Sequence, residues 1–471
     1  MVLTLRFCVW HLNIHWPSFI FQVFHTIAQK MRRVSLLISL FLWGAVASAQ
    51  QPNIVLIVAD DLGYGDLSSY GAEDLHSPAL DSLAASGIRF TQFYANSPVC
   101  SPTRASLLSG RYPPLAGVPG VIRTHASNNW GNLAQDIELL PEKLRLRGYH
   151  TSMVGKWHLG LNAPQRPVDR GFDHFEGFLG DMMDDYYNHR RHGINYMRRG
   201  EEVIYPEGHA TDLFTDWAVH YIKSRTVSTA PFFLYLAYNA PHTPIQPPEE
   251  WVAKVQQREG GIDEARAKLV ALIEHMDHGI GKVMTALKAN GFYDNTLVIF
   301  VSDNGGQLNV GARNGPLRNG KGTVYEGGIR VPAIASWPGS IAPSTTSDAL
   351  LTTMDIYPTL LEAARARITQ VIDGTSFLGS LLGGPDPDPT RLLFFSRREG
   401  GLRFGGKTIE AVRQGPWKLL QNSPYAPLEL YNLERDPLET TDLSSAEPDV
   451  FRRLAAELRQ YVQEAGNVPW Q

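Results

Sequence analysis

Cysteine is nearly missing from this sequence: 471 residues contain two, Cys8 and Cys100. That excludes a disulfide framework. An exported form that had lost Cys8 could hold no internal crosslink and would depend on its core. Charge of one sign is lacking too. The formal net charge is −4 and no long acidic or basic run occurs, which argues against nucleic acid or an anionic membrane as the main partner. No internal repeat is present. The apolar run Val34–Val46 is too short to span a bilayer comfortably.

That run has another reading. It follows Met31-Arg32-Arg33 and precedes Ala47-Ser48-Ala49, the basic, apolar, small-residue order of a secretory signal. Cleavage is expected after Ala49, with Met31 as the start and residues 1–30 as an extension of the reading frame. The product would be exported, periplasmic or secreted, with no stable membrane span after cleavage. A pair of membrane anchors is disfavoured by Pro17, Lys30, Arg32 and Arg33.

What is present is an ordinary globular profile, 43% apolar and 19% charged, long enough for two or three domains. Ten Trp and eighteen Tyr suit sugar or aryl ligands, but they fill large cores equally well. Asn53–Ala59, Pro231–Tyr238 and Thr296–Val301 are continuous apolar runs, the pattern of strands buried on both faces of a parallel sheet. Helical patterns fall at Ser77–Ser86, Leu139–Arg147, Asp212–Lys223 and Ala265–Asn290. Alternation of this kind predicts an α/β doubly wound, mostly parallel sheet. The Gly/Pro/Asp stretch at 383–390 reads as a linker. Beyond it, four short strands near Leu392–Arg397, Thr408–Arg413, Trp417–Gln421 and Leu428–Leu433 and a helix with Phe451, Leu454, Leu458, Tyr461 and Val462 on one face predict a small α+β domain with an antiparallel sheet. The expected division is 1–49, 50–382, 383–390 and 391–471.

Two predicted strands run directly into acidic residues: Ala59 into Asp60-Asp61, and Val301 into Ser302-Asp303-Asn304. Ligands of open α/β sheets bind beyond the carboxyl ends of strands. Three carboxylates and an amide gathered there would repel one another unless a cation held them. An all-oxygen set suits Ca²⁺ or Mg²⁺ better than zinc. Each motif alone is also a turn cap, served by Gly63, Gly65, Gly305 and Gly306; the two together favour metal. In Cys100-Ser101-Pro102-Thr103-Arg104, Pro102 fits the first turn of a helix through Ala105–Leu108. Cys100 then lies at the helix N-terminus, where free N–H groups favour an anion, and Arg104 returns to the same face. Nucleophile, anion site and guanidinium within one turn suit attack on a tetrahedral oxyanion. The bland alternative is a small buried cysteine with a surface arginine.

These residues resemble the type I sulfatases, the formylglycine-dependent, arylsulfatase-like branch of the alkaline phosphatase superfamily. Cys100-Ser101-Pro102-Thr103-Arg104 continues into Ser109-Gly110-Arg111, and Gly155-Lys156-Trp157-His158-Leu159-Gly160 matches the family's second signature. Asp60-Asp61-Leu62-Gly63-Tyr64-Gly65-Asp66, Pro241-His242-Thr243-Pro244 and Ser302-Asp303-Asn304-Gly305 follow in the family's order, as do Trp417-Lys418-Leu419 and Glu429–Leu433 near the C-terminus. Five active-site motifs in sequence make a specific signal.

The resemblance implies an alkaline-phosphatase-like fold and a sulfuric ester hydrolase. It implies that a formylglycine-generating or sulfatase-maturing enzyme oxidises Cys100 to Cα-formylglycine, whose hydrated gem-diol is the nucleophile. Asp60, Asp61, Asp303 and Asn304 would ligate Ca²⁺ with an oxygen of residue 100, Mg²⁺ being the lesser candidate. Arg104 and Lys156 would hold and neutralise the nucleophile. His242 and Lys321, the latter in Asn319-Gly320-Lys321-Gly322, would bind sulfate and assist the leaving oxygen; His158 would act afterwards as a base. The expected substrate is a sulfated small molecule or glycan. Two other readings stay open. One is a formylglycine-dependent phosphonate or phosphate ester hydrolase. The other is a non-catalytic sulfated-glycan binder, should Cys100 stay unmodified. The polar segment His174–His192 and the arginines Arg313 and Arg318 are either pocket lining or solvated loop.

Overall fold

Residue pairing across one sheet explains where the acidic motifs end up. The structure, a computed structural model, describes residues 51–125, 131–227, 230–399 and 406–466. The expected signal and the extension before it lie outside the described residues. Ten strands form the main sheet: β1 Asn53–Ala59, β2 Ile88–Phe90, β3 His150–Lys156, β4 His174–Phe178, β5 Met197–Arg199, β6 Glu202–Val203, β7 Phe232–Ala237, β8 Thr296–Ser302, β9 Ala333–Ser336 and β10 Thr345–Ser347. Their order is β10-β2-β9-β8-β1-β7-β3-β4-β5-β6. The central five, β8-β1-β7-β3-β4, are parallel. The strands added next to them, β9 and β5, run antiparallel, so the sheet is mixed, with the predicted parallel part at its centre.

Every residue of β1, β7 and β8 is buried, as their unbroken β-branched and aromatic runs require. Helices cover them in two separate groups. One contains α1 (Pro78–Ala85), α3 (Ala210–Ser224), α4 (Glu249–Arg258) and the 26-residue α5 (Glu264–Ala289). The other pairs α2 (Cys100–Ser109) with α6 (Ile356–Ala363). The predicted helices are found within a residue or two of their expected ends. The register matters most: Ala59 pairs with Ser302, and Val58 with Ala237, which pairs in turn with Gly155. Asp60, Asp303 and Lys156 therefore leave the sheet side by side.

The second sheet is an antiparallel meander of β11 (Leu392–Glu399), β12 (Lys407–Gln414), β13 (Trp417–Gln421) and β14 (Glu429–Asn432). Helix α7 (Pro448–Ala465) lays Leu454, Leu458 and Tyr461 on it. Its apolar core is shared with Tyr94, Tyr112, Val324, Ile329 and Met354 from earlier in the chain. A buried ion cluster adds to that contact. Lys418 of β13, with no exposed surface, donates to Glu326 at 2.9 Å and Glu439 at 2.8 Å, and Tyr94 donates to Glu326 at 2.7 Å. Burial alone would raise the Glu326 carboxyl, but Lys418, Arg413 and Arg330 outweigh it and pull it down to about 2. Among the described residues no helix is long and apolar enough to cross a membrane.

Removing the Lys418 ammonium leaves two buried carboxylates without their shared partner. Lys418→Met should lower unfolding free energy by about 3–5 kcal/mol, measured by urea denaturation; a loss under about 1 kcal/mol would show that the cluster is wet and unimportant to the fold.

Candidate active site

Asp60-Asp61 and Asp303-Asn304 emerge from the neighbouring strands β1 and β8, and all four are buried. Asp61 takes a left-handed conformation, φ 68°, one that Asp tolerates better than most residues. That turn brings its N–H to Asp303 Oδ1 at 3.1 Å and its Oδ1 to Asn304 Nδ2 at 2.8 Å. Beneath them Ser302 Oγ accepts the Leu62 N–H and donates to the Asn304 carbonyl. Asp60 Oδ1 and Asn304 Oδ1 are buried and receive no hydrogen bond. Two bare acceptor oxygens beside further carboxylates are suited to a hard cation.

Cys100 is the first residue of α2, and its N-cap Val99 is extended. The cysteine sulfur and carboxylate oxygens of Asp60 and Asp303 lie within 4.8 Å of one another; so do ligand atoms of Asp60, Asp61 and His242. Arg104, one turn along α2 and wholly buried, donates from Nε and Nη2 to Asp303 Oδ2 at 3.0 and 2.8 Å, and from Nη1 to the Lys156 carbonyl. Lys156 Nζ reaches Asp60 Oδ2 at 2.5 Å. Lys321 Nζ reaches Asp61 Oδ2 at 2.6 Å. Its loop is pinned by N–H bonds from Lys321 to Gly306 O and from Gly322 to Pro98 O. His242 Nε2 stands 3.6 Å from Asp61 Oδ2. His158, also left-handed at φ 61°, bonds through Nε2 to the Ile122 carbonyl at 2.7 Å. A carbonyl only accepts, so Nε2 carries the proton. Nδ1 is left as an acceptor, buried and without a partner.

The electrostatics divide these groups. Burial would raise Asp60, but Lys156, His242, Arg104 and Lys321 together hold it well below the usual carboxylate range. Asp303 is pushed up to about 7, first by burial and then by the charge of Asp60, against the pull of Arg104. Burial raises the Cys100 thiol. It lowers His158 well below its ordinary value, with help from Lys156 and Arg104, and lowers His242 with help from Lys321. Burial opposes the Lys321 charge, but Asp61, Cys100 and Asp60 outweigh it and hold the ammonium protonated.

The predicted site residues Asp60, Asp61, Cys100, Arg104, Lys156, His158, His242, Asp303, Asn304 and Lys321 thus meet at one end of the sheet. The other polar residues divide. Arg313 pairs with Asp74, and Arg318 donates to Tyr431 and to the Glu439 carbonyl; both are anchors away from the cluster. Tyr186 is buried and donates to the Asn239 and His242 carbonyls, bracing the turn that carries His242. A cavity of about 480 Å³ opens over Cys100, His158, His242 and Lys321. Asp181, Arg123 and Arg397 share its wall and carry no local sequence signal; only a fold brings them there. A larger cavity, about 950 Å³, lies among α1, α3, α4 and α5 and contains none of the motif residues. His209, Asp212 and His275 also cluster, but both ring nitrogens of His209 are engaged, with the Thr211 N–H and the Gln246 carbonyl.

Known proteins resemble this chain in sequence and fold. A family model described as Sulfatase matches residues 52–366, and one described as N-sulphoglucosamine sulphohydrolase, C-terminal, matches residues 319–466. The N-acetylgalactosamine-6-sulfatase of Canis lupus familiaris is 35% identical over 409 residues, 82% of this chain and 74% of that protein. Arylsulfatase A of Homo sapiens is 34% identical over 472 residues, 88% of each. Among solved structures, Ps i-CgsB in complex with k-i-k-neocarrahexaose matches with a TM-score of 0.81 at 33% identity, over 88% of this chain and 93% of that one. The phosphonate monoester hydrolase of Agrobacterium radiobacter matches in fold alone, with a TM-score of 0.65 at 20% identity over 88% and 96%.

The strand that delivers Lys156 depends on the glycine before it. Gly155 has φ 106°, and a Cβ there would stand 2.0 Å from the Ala237 carbonyl oxygen. Gly148, at φ 81°, has nothing within 4 Å. Gly155→Ala should cost about 3 kcal/mol or more, whereas Gly148→Ala should cost only the left-handed strain of about 1–2 kcal/mol. Equal losses for the two in urea unfolding would mean that β3 and β7 separate easily and that Lys156 is not held by this packing.

Proposed function

Because this chain belongs to the sulfatase family and is an arylsulfatase-like sulfuric ester hydrolase, we propose that it cleaves sulfate monoesters of glycans at the Cys100 cavity. The observation that carries this reading is the union, around one buried cluster, of Cys100 at a helix start with Asp60, Asp61, Asp303 and Asn304 and five cationic or imidazole side chains, Arg104, Lys156, His158, His242 and Lys321. The glycan part is supported by relatives named for N-acetylgalactosamine-6-sulfatase and by the similar structure that holds neocarrahexaose.

Calcium is the cation the donor set suits. Its ligands would be the carboxylate and amide oxygens of Asp60, Asp61, Asp303 and Asn304 with an oxygen of residue 100, an all-oxygen set that suits a hard cation. When bound, calcium supplies fixed positive charge for the nucleophile and for the sulfuryl oxygens. A thiol whose ionisation burial disfavours is poorly suited to attack sulfur. Oxidation of Cys100 to Cα-formylglycine by a maturation enzyme, followed by hydration of the aldehyde, would supply two hydroxyls instead: one would take the sulfuryl group from the leaving alcohol, and loss of the other's proton would re-form the aldehyde as sulfate departs.

The remaining steps fall to the chain's own residues. Asp303, oriented by Arg104 and with a carboxylate oxygen within 4.8 Å of the Cys100 sulfur, is placed to accept the nucleophile's proton. Arg104 fixes that carboxylate, and Lys156 balances Asp60. Lys321, held as ammonium beside Asp61, is placed to neutralise sulfuryl oxygens. His242 gives Nδ1–H to the Thr243 carbonyl at 2.7 Å, so it protonates a leaving alcohol from Nε2 only as imidazolium; otherwise that proton comes from Lys321. His158, neutral and with Nδ1 bare, is suited to withdraw the proton that releases sulfate. An exported location accords with the signal-like sequence at 31–49.

Protein made with a sulfatase-maturing enzyme should hydrolyse 4-nitrophenyl sulfate and a sulfated hexosamine faster than the matching phosphate monoester or diester. Its tryptic peptide Phe90–Arg104 should carry aldehyde in place of the thiol, and Cys100→Ala should cut kcat by about 10³-fold or more. Chelation should abolish turnover, and Ca²⁺ should restore it better than Mg²⁺. Faster diester turnover would make the chain a phosphonate-type hydrolase, and a fully unmodified Cys100 in protein from its native host would leave a binding protein.

A further inference from the structure

Ser101 has no part in the chemistry described so far, yet it stands beside the nucleophile position. A hydroxyl in the first turn of a helix ordinarily returns to its own backbone as a cap. Here it does not. The N-cap of α2 is Val99, which makes no side-chain cap. Ser101 Oγ, wholly buried, accepts instead the N–H of Ile122 at 3.1 Å. The carbonyl of the same Ile122 accepts His158 Nε2–H at 2.7 Å. One residue therefore joins the first turn of α2 to the imidazole.

Among the described residues that carbonyl is the ring's one hydrogen-bond partner, since Nδ1 is buried and bare. It decides two things at once: which nitrogen carries the proton and how the ring is turned. Packing sets the place of Ile122 but not the rotation of its peptide planes. The Ile122 side chain sits in the main core, and apolar contact has no direction. Upstream the same stretch is clamped. Arg398 N–H donates to the Pro119 carbonyl at 2.8 Å, and a Cβ on Gly120 would stand 2.2 Å from the Arg398 oxygen. At Ile122 itself, the directional contact on the N–H is the Ser101 hydroxyl. The backbone of His158 is held separately, by its N–H bond to the Leu179 carbonyl at 3.3 Å. A rotated Ile122 peptide would therefore not carry the imidazole with it.

We propose that Ser101 is a positioning residue which, through the Ile122 carbonyl, holds His158 in its Nε2-protonated form and keeps Nδ1 free as a base. The hydroxyl next to residue 100 then serves the late step, the release of sulfate, rather than the attack. This rests on the sulfatase reading, in which His158 withdraws the proton that releases sulfate.

Two measurements test it, the first without any turnover. Full-length protein with Cys100 unmodified is labelled with ring-¹⁵N histidine, and His158→Ala assigns the His158 signals by NMR. In wild type Nε2 should be the protonated nitrogen and Nδ1 the bare one. Ser101→Ala should turn this into a mixture of tautomers, and Ser101→Thr, which keeps the oxygen, should restore the wild-type pattern. In matured protein, rates are divided by the aldehyde content of peptide Phe90–Arg104. Ser101→Ala should then lower kcat for 4-nitrophenyl sulfate about tenfold. The ratio kcat/KM, which reports the steps up to nitrophenol release, should stay within about twofold. A protonated Nδ1 in wild type, a tautomer that Ser101→Ala leaves unchanged, or a parallel fall in kcat and kcat/KM would overturn the proposal. Ser101 would then be a plain fastener of the loop. If Ser101→Ala does not fold by circular dichroism, Ser101→Cys, nearly isosteric but a weak acceptor, decides by the NMR measurement alone. Turnover by matured wild-type protein reports on the sulfatase reading by itself.

Discussion

The gathering of Asp60, Asp61 and Asp303 in one dry place is the constraint on which the rest of the site depends. Like charges that close cannot all ionise without compensation, and the surrounding groups supply it. Arg104 grips Asp303, Lys156 grips Asp60, and Lys321 grips Asp61. Each pairing dictates something local. The first requires Cys100 to begin a helix so that Arg104 comes round one turn later. The second requires a backbone at Gly155 with no side chain between β3 and β7. The third requires the Lys321 loop to be stitched to the loop that carries Cys100.

Such a cluster does little to stabilise the fold, because burying ion pairs takes back most of their attraction as lost hydration. Stability has to come from elsewhere, and the all-apolar strands β1, β7 and β8 with the helices on both sides are the natural source. Polar chemistry is confined to the carboxyl ends of those strands, where the ladder stops and the chain turns. The two left-handed residues at the site, Asp61 and His158, sit in those turns. Strain of this kind persists where the surroundings over-determine it, here through bonds to Asp303, Asn304 and the Ile122 carbonyl.

The small C-terminal sheet is more than an appendage. Lys418 ties it to Glu326, five residues beyond Lys321, and β11 carries Arg397 to the cavity wall. The central machinery comes from the main sheet, whereas part of the wall that meets the substrate's surroundings comes from the later chain. The same scaffold can then keep its sulfate-ester chemistry while the wall changes.

Much of this was legible in the residues alone, and the division has a physical basis. Strands of seven buried residues, acidic pairs at their ends, and a cysteine four places before an arginine are short-range patterns. Local propensity and helix geometry decide them within one or two turns. By its order of motifs the sequence determined the family, the α/β class and the residues that meet at Cys100. Only the tertiary structure decided which cation answers which carboxylate, because that follows from the Ala59–Ser302 and Ala237–Gly155 registers. The antiparallel strands at the sheet's flanks were beyond the sequence, being two to four residues long and too short to show a period. So was the Arg123–Glu399 contact, which joins residues 276 apart: no local rule links such positions, and only the packing of one sheet against another's loop makes them neighbours.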